Sequence, residues 1–114
     1  MIENFGIGID IIDVDRFRKI PYMTKTSFYN KIFTKKEIDY CLKFSDPYPH
    51  FAGKFAVKEA VKKSINQVIE LFHIETFHEN DKPKVRISNH DTQFLVSISH
   101  DGNFSIAVVI SVGM

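Results

Sequence analysis

Two carboxylates and a group of lysines are the residues of this chain best suited to chemistry. Glu59 lies among four lysines in the segment from Pro49 to Lys63 (PHFAGKFAVKEAVKK), for which we predict a helix. Asp10 lies in a strand predicted near the start of the chain. Carboxylate oxygens beside ammonium groups suit a phosphate ester bound together with Mg2+. The pattern therefore favours a magnesium-dependent phosphate-ester site, provided that folding brings the two carboxylates together.

The predicted first strand, Phe5 to Ile12, carries small residues beside its carboxylate. Alternation along a strand puts four apolar residues on one face: Phe5, Ile7, Ile9 and Ile11. The opposite face carries Gly6, Gly8, Asp10 and Ile12. The two glycines leave room for a ligand or for a second backbone to approach closely. The alternative is a strand end at which Asp10 only begins a turn.

The long helix is predicted to run from Pro49 to about Ile65, with proline in its first turn. Its inward-packing residues are predicted to be Phe51, Ala52, Phe55, Ala56 and Ala60. Glu59 and Lys63 are four residues apart and therefore share one stripe of the helix. The alternative for these two is an ordinary exposed ion pair, which stabilises a helix by about 0.2–0.5 kcal/mol.

Shorter helices are predicted before the long one. Asp13 can cap a helix that reaches about Ile20, where Pro21 stops it. A second helix is expected from Ser27 to Phe33. Thr34 and Glu37 form a capping box that predicts the start of a third.

The second half of the chain is predicted to form strands. Two of them, Ile74 to His78 and Val85 to Ser88, flank a turn at residues 79–83. A hairpin then joins Phe94 to Ser99 with Phe104 to Val112 through an Asp-Gly turn. Because the last strand is almost continuously apolar, it is expected in the centre of the sheet or against another subunit. His100 ends its strand, where it could act in chemistry or only hydrogen-bond in the turn.

Length and composition predict one compact domain over residues 1–114. The lone Cys41 cannot form an internal disulfide and no leader pattern opens the sequence, so we expect an intracellular, cytoplasmic protein. No apolar segment approaches the roughly 20 residues that cross a membrane. The sequence shows no zinc-ligand spacing, GxSxG motif, P-loop or GxGxxG fingerprint.

Positive charge is concentrated near the start of the chain. From Asp13 to Lys36 there are seven basic and two acidic residues, a local balance of +5. This segment is suited either to an acidic partner or to a generic solvated surface. Nucleic acid is not favoured as the partner, because aromatic residues on a strand platform are missing and the whole chain carries only +1.

Three segments together resemble the motifs of the holo-acyl-carrier-protein synthases, the small class of 4'-phosphopantetheinyl transferases. In chain order they are Gly6 to Ile11 with Arg16, Phe55 to Ala60 with Lys63, and Val96 to His100. Weaker similarities to other segments of this family lie at Ile32 to Glu37 and at Lys82-Pro83. The similarity extends from Gly6 to about Val109, which is nearly the whole chain.

The resemblance implies an enzyme of fatty acid biosynthesis. It would transfer the 4'-phosphopantetheine arm of coenzyme A to a serine of an apo acyl carrier protein and release adenosine 3',5'-bisphosphate. Asp10 and Glu59 would hold Mg2+ against the pyrophosphate, and Lys63 would contact phosphate. The proton of the serine could go to Asp10, to Glu59 or to a water on the metal.

The resemblance also assigns binding residues. Coenzyme A contacts fall on Lys54, Lys63, Lys82, Pro83 and His100, and carrier-protein contacts fall on Arg16 and Arg18. Lys54 replaces an arginine that is frequent in the family, so that a point charge stands in place of a two-pronged guanidinium. The segment from Ser64 to Val68 lacks the family's glycine-rich loop, and Asp81 replaces a glycine before Lys82.

The implied architecture is the α+β 4'-phosphopantetheinyl transferase fold, in which helices including one long helix pack on an antiparallel sheet. The family also implies a homotrimer with active sites in clefts between subunits. Two other functions stay open. One is a coenzyme A or carrier-protein binding module, which would need neither Asp10 nor Glu59. The other is a magnesium-dependent nucleotide phosphodiesterase, which would use water as the acceptor.

Overall fold

A computed structural model describes residues 4–113 of the chain. The helices of this part are α1 (Asp15–Arg18), α2 (Thr26–Ile32), α3 (Lys35–Cys41) and α4 (Tyr48–Ile65). The strands are β1 (Phe5–Asp13), β2 (Ile74–Glu79), β3 (Lys82–Ile87), β4 (Gln93–Asp101) and β5 (Phe104–Val112). Short 3-10 turns cover Tyr22–Thr24 and Leu71–His73. The mixture of helices and strands confirms the predicted α+β class.

The strands form two antiparallel sheets. One sheet has the order β1-β5-β4, so the apolar last strand lies in its centre, as predicted. The other sheet is the hairpin of β2 and β3. Strand β3 packs beside β4 without being hydrogen-bonded to it, which leaves a gap between the two sheets.

Helix α4 packs on the inner face of the three-stranded sheet and forms the centre of the core. Phe51, Ala52, Ala56 and Ala60 are buried as predicted, while Phe55 is half-buried. The helix starts one residue earlier than predicted and ends at Ile65 as expected. Over residues 4–113, no helix has the length and apolar character that a bilayer crossing demands.

The glycines of β1 serve close contact with the backbone of α4. A Cβ atom added to Gly6 would lie 1.8 Å from the carbonyl oxygen of Ser64. One added to Gly8 would lie 1.9 Å from the carbonyl oxygen of Ala60. Of the two possibilities left open by the sequence, the structure shows the approach of a second backbone. Strand and helix therefore pack at a separation that no side chain permits.

Lys58 forms a buried ion pair on the opposite side of α4. Its ammonium donates to Oε1 of Glu37 at 2.8 Å and to the carbonyl oxygens of Ile32, Leu71 and Ile74 at 2.7–3.0 Å. Burial lowers the pKa of Lys58, and the nearby Glu37 carboxylate opposes that shift. Lys58, which directly precedes Glu59 in the sequence, thus joins α4 to three neighbouring parts of the chain.

Glu37 completes this network from α3. Its Oε1 accepts from the backbone N–H of Thr34, and the Thr34 side chain accepts from the N–H of Glu37, which confirms the predicted capping box. Its Oε2 accepts from the N–H of Thr76 at 2.8 Å and from the Thr76 hydroxyl. The carboxylate therefore ties α3 to β2 as well as to α4.

Some predicted boundaries differ from the observed ones. Helix α1 ends at Arg18 instead of Ile20, because the N–H of Ile20 turns back to the Phe17 carbonyl in the approach to Pro21. Strand β3 starts at Lys82 instead of Val85. The turn before it is shorter than predicted because Asn80 and Asp81 both adopt positive φ, the conformation of a two-residue hairpin turn.

Replacing Gly8 with alanine tests the close contact of β1 with α4. We expect the free energy of unfolding to fall by about 3 kcal/mol or more, since an added methyl group would overlap a main-chain oxygen that cannot move alone. Urea unfolding followed by circular dichroism measures this change. Gly53→Ala is the matched control: its Cβ would lie 3.6 Å from the nearest atom, so a gain of about 0.5–1 kcal/mol is expected. Equal stabilities of the two variants would contradict the packing described.

Candidate active site

Asp10 and Lys63 meet at the free edge of β1. The ammonium of Lys63 donates to Oδ1 of Asp10 at 3.1 Å and to the carbonyl oxygen of Ile9 at 2.9 Å. The Asp10 side chain is only 15% exposed. Its second oxygen, Oδ2, is buried and has no hydrogen-bond partner within the described part of the chain. A buried carboxylate oxygen without a partner is costly, so this atom is suited to an added cation.

Glu59 lies one turn before Lys63 on the same stripe of α4 and is half-buried. It borders an open groove at the C-terminal end of the helix, together with Lys62, Lys63, Asn66, Gln67 and Val68. The groove thus contains one carboxylate and two ammonium groups, with Asp10 bonded to the second of them.

Asn66 ends α4 in the left-handed conformation, with φ of 53°. Its backbone N–H donates to the carbonyl of Lys62 at 2.9 Å. Asparagine adopts this conformation more readily than most residues. The chain can therefore turn away from α4 into the segment that lacks glycine.

The donor set fits a magnesium ion that is shared with a phosphate ligand. Mg2+ commonly uses only one or two protein carboxylates when substrate phosphates and waters complete its six ligands. Between residues 4 and 113 no group of three His, Cys, Asp or Glu side chains could hold a metal alone. Asp10 and Glu59 would be the protein ligands, and the unpartnered Oδ2 of Asp10 is the observation that supports this.

A second pocket contains His100 and Pro83. It occupies the gap between the two sheets, measures about 310 Å³, and is lined by Tyr40, His50, His78, Pro83, Val96, Ser97, Ile98 and His100. The ring of His100 is oriented by the Ser105 hydroxyl, which lies 3.0 Å from its Nδ1. Its position in β4 therefore places His100 at a pocket wall.

Neither Lys54 nor Lys82 lines this pocket; Lys54 lines a neighbouring one of about 460 Å³ together with Tyr40 and His78. The Lys54 side chain is buried, donates to the Thr76 hydroxyl at 3.1 Å, and places its ammonium 4.7 Å from the centre of the Tyr40 ring. Burial lowers the pKa of Lys54. Lys82 is exposed at the start of β3 and does not line the pocket.

The two arginines of α1 have different environments. Arg18 donates to Asp15, Asp46 and Asn103 at 2.6–3.0 Å, which joins α1 to the segment before α4 and to the β4–β5 turn. Arg16 is exposed, and its guanidinium lies 5.9 Å from the centre of the Phe55 ring. Beside it is a small apolar pocket lined by Phe17, Ile20, Phe28 and Phe55.

The structure thus brings Asp10 together with Lys63, and Pro83 together with His100, but these pairs lie in different grooves of one chain. Sequence reasoning missed His50, His78 and Tyr40, which line the second pocket. It also missed the partnership of Glu37 with Lys58.

The sequence matches a known family model. Residues 6–109 match the model of the 4'-phosphopantetheinyl transferase superfamily. A protein of Thermodesulfovibrio yellowstonii named holo-[acyl-carrier-protein] synthase is 40% identical over 113 residues, which cover 96% of this chain and 98% of that protein. A protein of the same name from Chlamydia caviae is 37% identical, again over 96% of this chain and 98% of the relative.

Solved structures agree with the sequence match. A holo-(acyl-carrier-protein) synthase of Bacillus anthracis, in complex with CoA (3',5'-ADP), has a TM-score of 0.83 and 28% identity and covers 96% of both chains. The Helicobacter pylori enzyme in complex with coenzyme A has a TM-score of 0.82 and 30% identity over 92% of this chain and 98% of that one. The chain therefore belongs to the 4'-phosphopantetheinyl transferase superfamily, among its holo-[acyl-carrier-protein] synthases.

Proposed function

We propose that this chain transfers 4'-phosphopantetheine from coenzyme A to a serine of an apo acyl carrier protein, with Asp10 and Glu59 as ligands of Mg2+ and Lys63 as a phosphate contact. The family match supports the reaction. The buried, unpartnered oxygen of Asp10 beside the Lys63 ammonium supports the assignment of residues. The carrier that occurs in fatty acid synthesis is the acceptor proposed here, and the cytoplasm is the proposed location.

The reaction exchanges one phosphorus–oxygen bond for another. The serine oxygen of the carrier bonds to the phosphorus that bears pantetheine, while the bond from that phosphorus to the bridging oxygen breaks and adenosine 3',5'-bisphosphate leaves. The serine proton passes to a base, for which Asp10 and Glu59 are the carboxylates at hand. Bound Mg2+ would neutralise charge on the diphosphate. Lys63 supplies a further positive charge at the same groove.

One assay separates this function from its two rivals. The protein is incubated with coenzyme A, Mg2+ and an apo carrier protein, and both carrier and nucleotide are analysed by mass spectrometry. A phosphopantetheine adduct on the carrier supports transfer. Cleaved nucleotide without an adduct would indicate a phosphodiesterase, and neither product would indicate a binding module.

Asp10→Asn and Glu59→Gln should each reduce the rate of transfer at least about a hundredfold, because each removes a negatively charged ligand of the proposed Mg2+ ion, whose positive charge would stabilise the transition state. The variants should remain folded by circular dichroism. Asp91→Asn and Glu70→Gln are matched controls at exposed positions, for which an unchanged rate is expected. Full activity of Asp10→Asn would rule out the assignment of that carboxylate.

The exposed Arg16 is the proposed contact for the acidic carrier. Its guanidinium is held near Phe55, and no salt bridge within residues 4–113 engages it. The adjoining apolar pocket supports docking of a partner with both charged and apolar groups. Arg18 remains a predicted carrier contact, although its guanidinium already binds three side chains of this protein.

Arg16→Ala should raise the KM for the carrier about tenfold or more and leave the KM for coenzyme A unchanged, because exposed arginines at interfaces are frequent hot spots. Steady-state kinetics with each substrate varied in turn measures both values. The control Lys84→Ala removes one positive charge outside the basic N-terminal segment and should change neither constant. If both substitutions raise the KM for the carrier equally, only the total charge of the protein determines carrier binding.

The outer face of the three-stranded sheet supports the proposed homotrimer. This face is apolar and uncovered in the single chain, with Phe5, Ile7, Ile9, Ile11, Leu95, Phe104 and Ile110 all exposed. Such a continuous patch is typical of a protein interface. The separation of the Asp10 and His100 grooves on one chain is also as expected if neighbouring copies complete each other's sites.

Ile7→Asp should dissociate the trimer, because it places a charge within the apolar face. Analytical ultracentrifugation should give three times the 13.2 kDa mass of the chain for the parent protein and one chain for the variant. Met23→Asp, at an exposed apolar residue outside the sheet, is the control and should leave the mass unchanged. A parent protein with the mass of one chain would contradict the proposal.

A further inference from the structure

His100 and Ser105 lie opposite each other in the hairpin of β4 and β5. They are direct cross-strand partners in a register set by the two-residue turn at Gly102 and Asn103, where Gly102 has φ of 56°. Opposite residues of an antiparallel pair point to the same face of the sheet, and here that face packs against the start of α4. The turn therefore brings a hydroxyl next to the imidazole ring.

The Ser105 hydroxyl is fully buried and has two acceptors near it. Its oxygen lies 3.0 Å from Nδ1 of His100 and 3.5 Å from the carbonyl oxygen of Pro49. The second distance exceeds the range of about 2.5–3.0 Å that is usual for a hydroxyl donor to oxygen. The Pro49 carbonyl, in the first turn of α4, also accepts the hydrogen bond of the helix itself. Because a buried hydroxyl needs an acceptor, its proton is directed to Nδ1.

This hydrogen bond determines where the neutral ring of His100 carries its proton. A neutral imidazole has one N–H and one unprotonated nitrogen, so a ring that accepts at Nδ1 is protonated at Nε2. Among residues 4–113, no hydrogen bond other than the one with Ser105 engages the ring. The Nε2 proton is therefore available to a ligand.

The orientation of the ring is fixed on two sides. Ser105 holds it at Nδ1, and Cε1 lies against α4, since a Cβ added to Gly53 would be 3.6 Å from that atom. The side chain of His100 is exposed and lines the pocket between the two sheets. The edge with Nε2 and Cδ2 is the part of the ring left for a molecule bound there.

We propose that Ser105 is a positioning residue, whose hydroxyl keeps the proton of the neutral His100 ring on Nε2 and so makes this nitrogen a hydrogen-bond donor to coenzyme A. The inference rests on the proposed function, in which coenzyme A is the donor and His100 one of its contacts. Oxygen atoms of coenzyme A accept hydrogen bonds, whereas an unprotonated Nε2 would present a lone pair to them. Ser105 is fully buried and acts only through the ring.

Ser105→Ala removes the hydroxyl and leaves the Cβ atom in place. We expect the Kd for coenzyme A, measured by isothermal titration calorimetry with Mg2+, to rise about fivefold, because the ring loses the partner that orients its donor. In steady-state kinetics the KM for coenzyme A should rise by a similar factor, while the KM for the carrier protein stays unchanged. A general structural defect would change both KM values.

Ser111→Ala is the matched control. Ser111 lies on the same buried face of β5, and its hydroxyl donates to the carbonyl oxygen of Ser64 in α4 at 3.1 Å, but no imidazole contacts it. Its replacement removes a buried hydroxyl of the same kind and should leave the Kd for coenzyme A unchanged. In a protein that already carries His100→Ala, Ser105→Ala should cause no further loss of affinity, because the ring through which it acts is missing.

Nitrogen NMR reads the position of the proton directly. The chain contains five histidines, and in protein labelled with 15N at histidine the signals of His100 are identified by their loss in His100→Ala. Spectra are recorded at the alkaline end of the titration of the ring, where it is neutral. The parent protein should carry the proton on Nε2, and Ser105→Ala should show a mixture of the two tautomers.

A proton on Nδ1 of the neutral ring in the parent protein would overturn the inference. So would an unchanged Kd in Ser105→Ala, an equal loss in Ser111→Ala, or a full additional loss when His100 is already replaced. The transfer assay keeps these outcomes separate from the enzyme function, since a parent protein that loads the carrier retains its function in each case. A parent protein that neither binds coenzyme A nor forms the adduct would count against the proposed function, and with it against the role of His100.

Discussion

The packing of β1 on α4 is the constraint on which the candidate site depends. Gly6 and Gly8 bring the strand backbone so near the helix that a methyl group at either position would overlap a carbonyl oxygen of Ser64 or Ala60. At this separation a lysine of the helix reaches the free edge of the strand and binds both Asp10 and the Ile9 carbonyl. Side chains larger than hydrogen at the two glycines would force the strand outward, and the Asp10 carboxylate of β1 would move away from Lys63 with it.

A second constraint fixes α4 from the other side. Lys58 is fully buried, and a charge in that position is tolerated only because Glu37 and three carbonyl oxygens surround it. Since Glu37 also caps α3 and binds Thr76, the network defines where α3, α4 and β2 lie relative to one another. Lys58 and Glu59, which are adjacent in the sequence, therefore have different roles. Lys58 anchors the helix, while Glu59 points to the groove where the chemistry is proposed.

The sequence predicted those features that depend on local pattern. Alternation identified β1 and its glycine face, helical periodicity identified α4, and the apolar run of the last strand indicated its central position. Partnerships between distant segments were not predictable, because neither Glu37 with Lys58 nor the pocket of His50 and His78 follows from spacing along one element. The sequence lacks the family's glycine after α4, and Asn66 adopts the left-handed conformation at the end of the helix. Substitution by a residue that tolerates the same backbone conformation is not visible from composition alone.

The two faces of β1 connect the proposed chemistry with the proposed assembly. Odd-numbered residues from Phe5 to Ile11 form part of the uncovered apolar face, and even-numbered residues face α4 or the site. Because successive side chains of a strand point to opposite faces, a shift of one residue in its pairing with β5 would exchange the two sets. Such a shift would bury Ile9 against the helix and turn Asp10 toward the uncovered apolar face. The glycines prevent it, since only their face can approach the backbone of α4. The same contact that positions the carboxylate therefore also determines which apolar residues remain available for association.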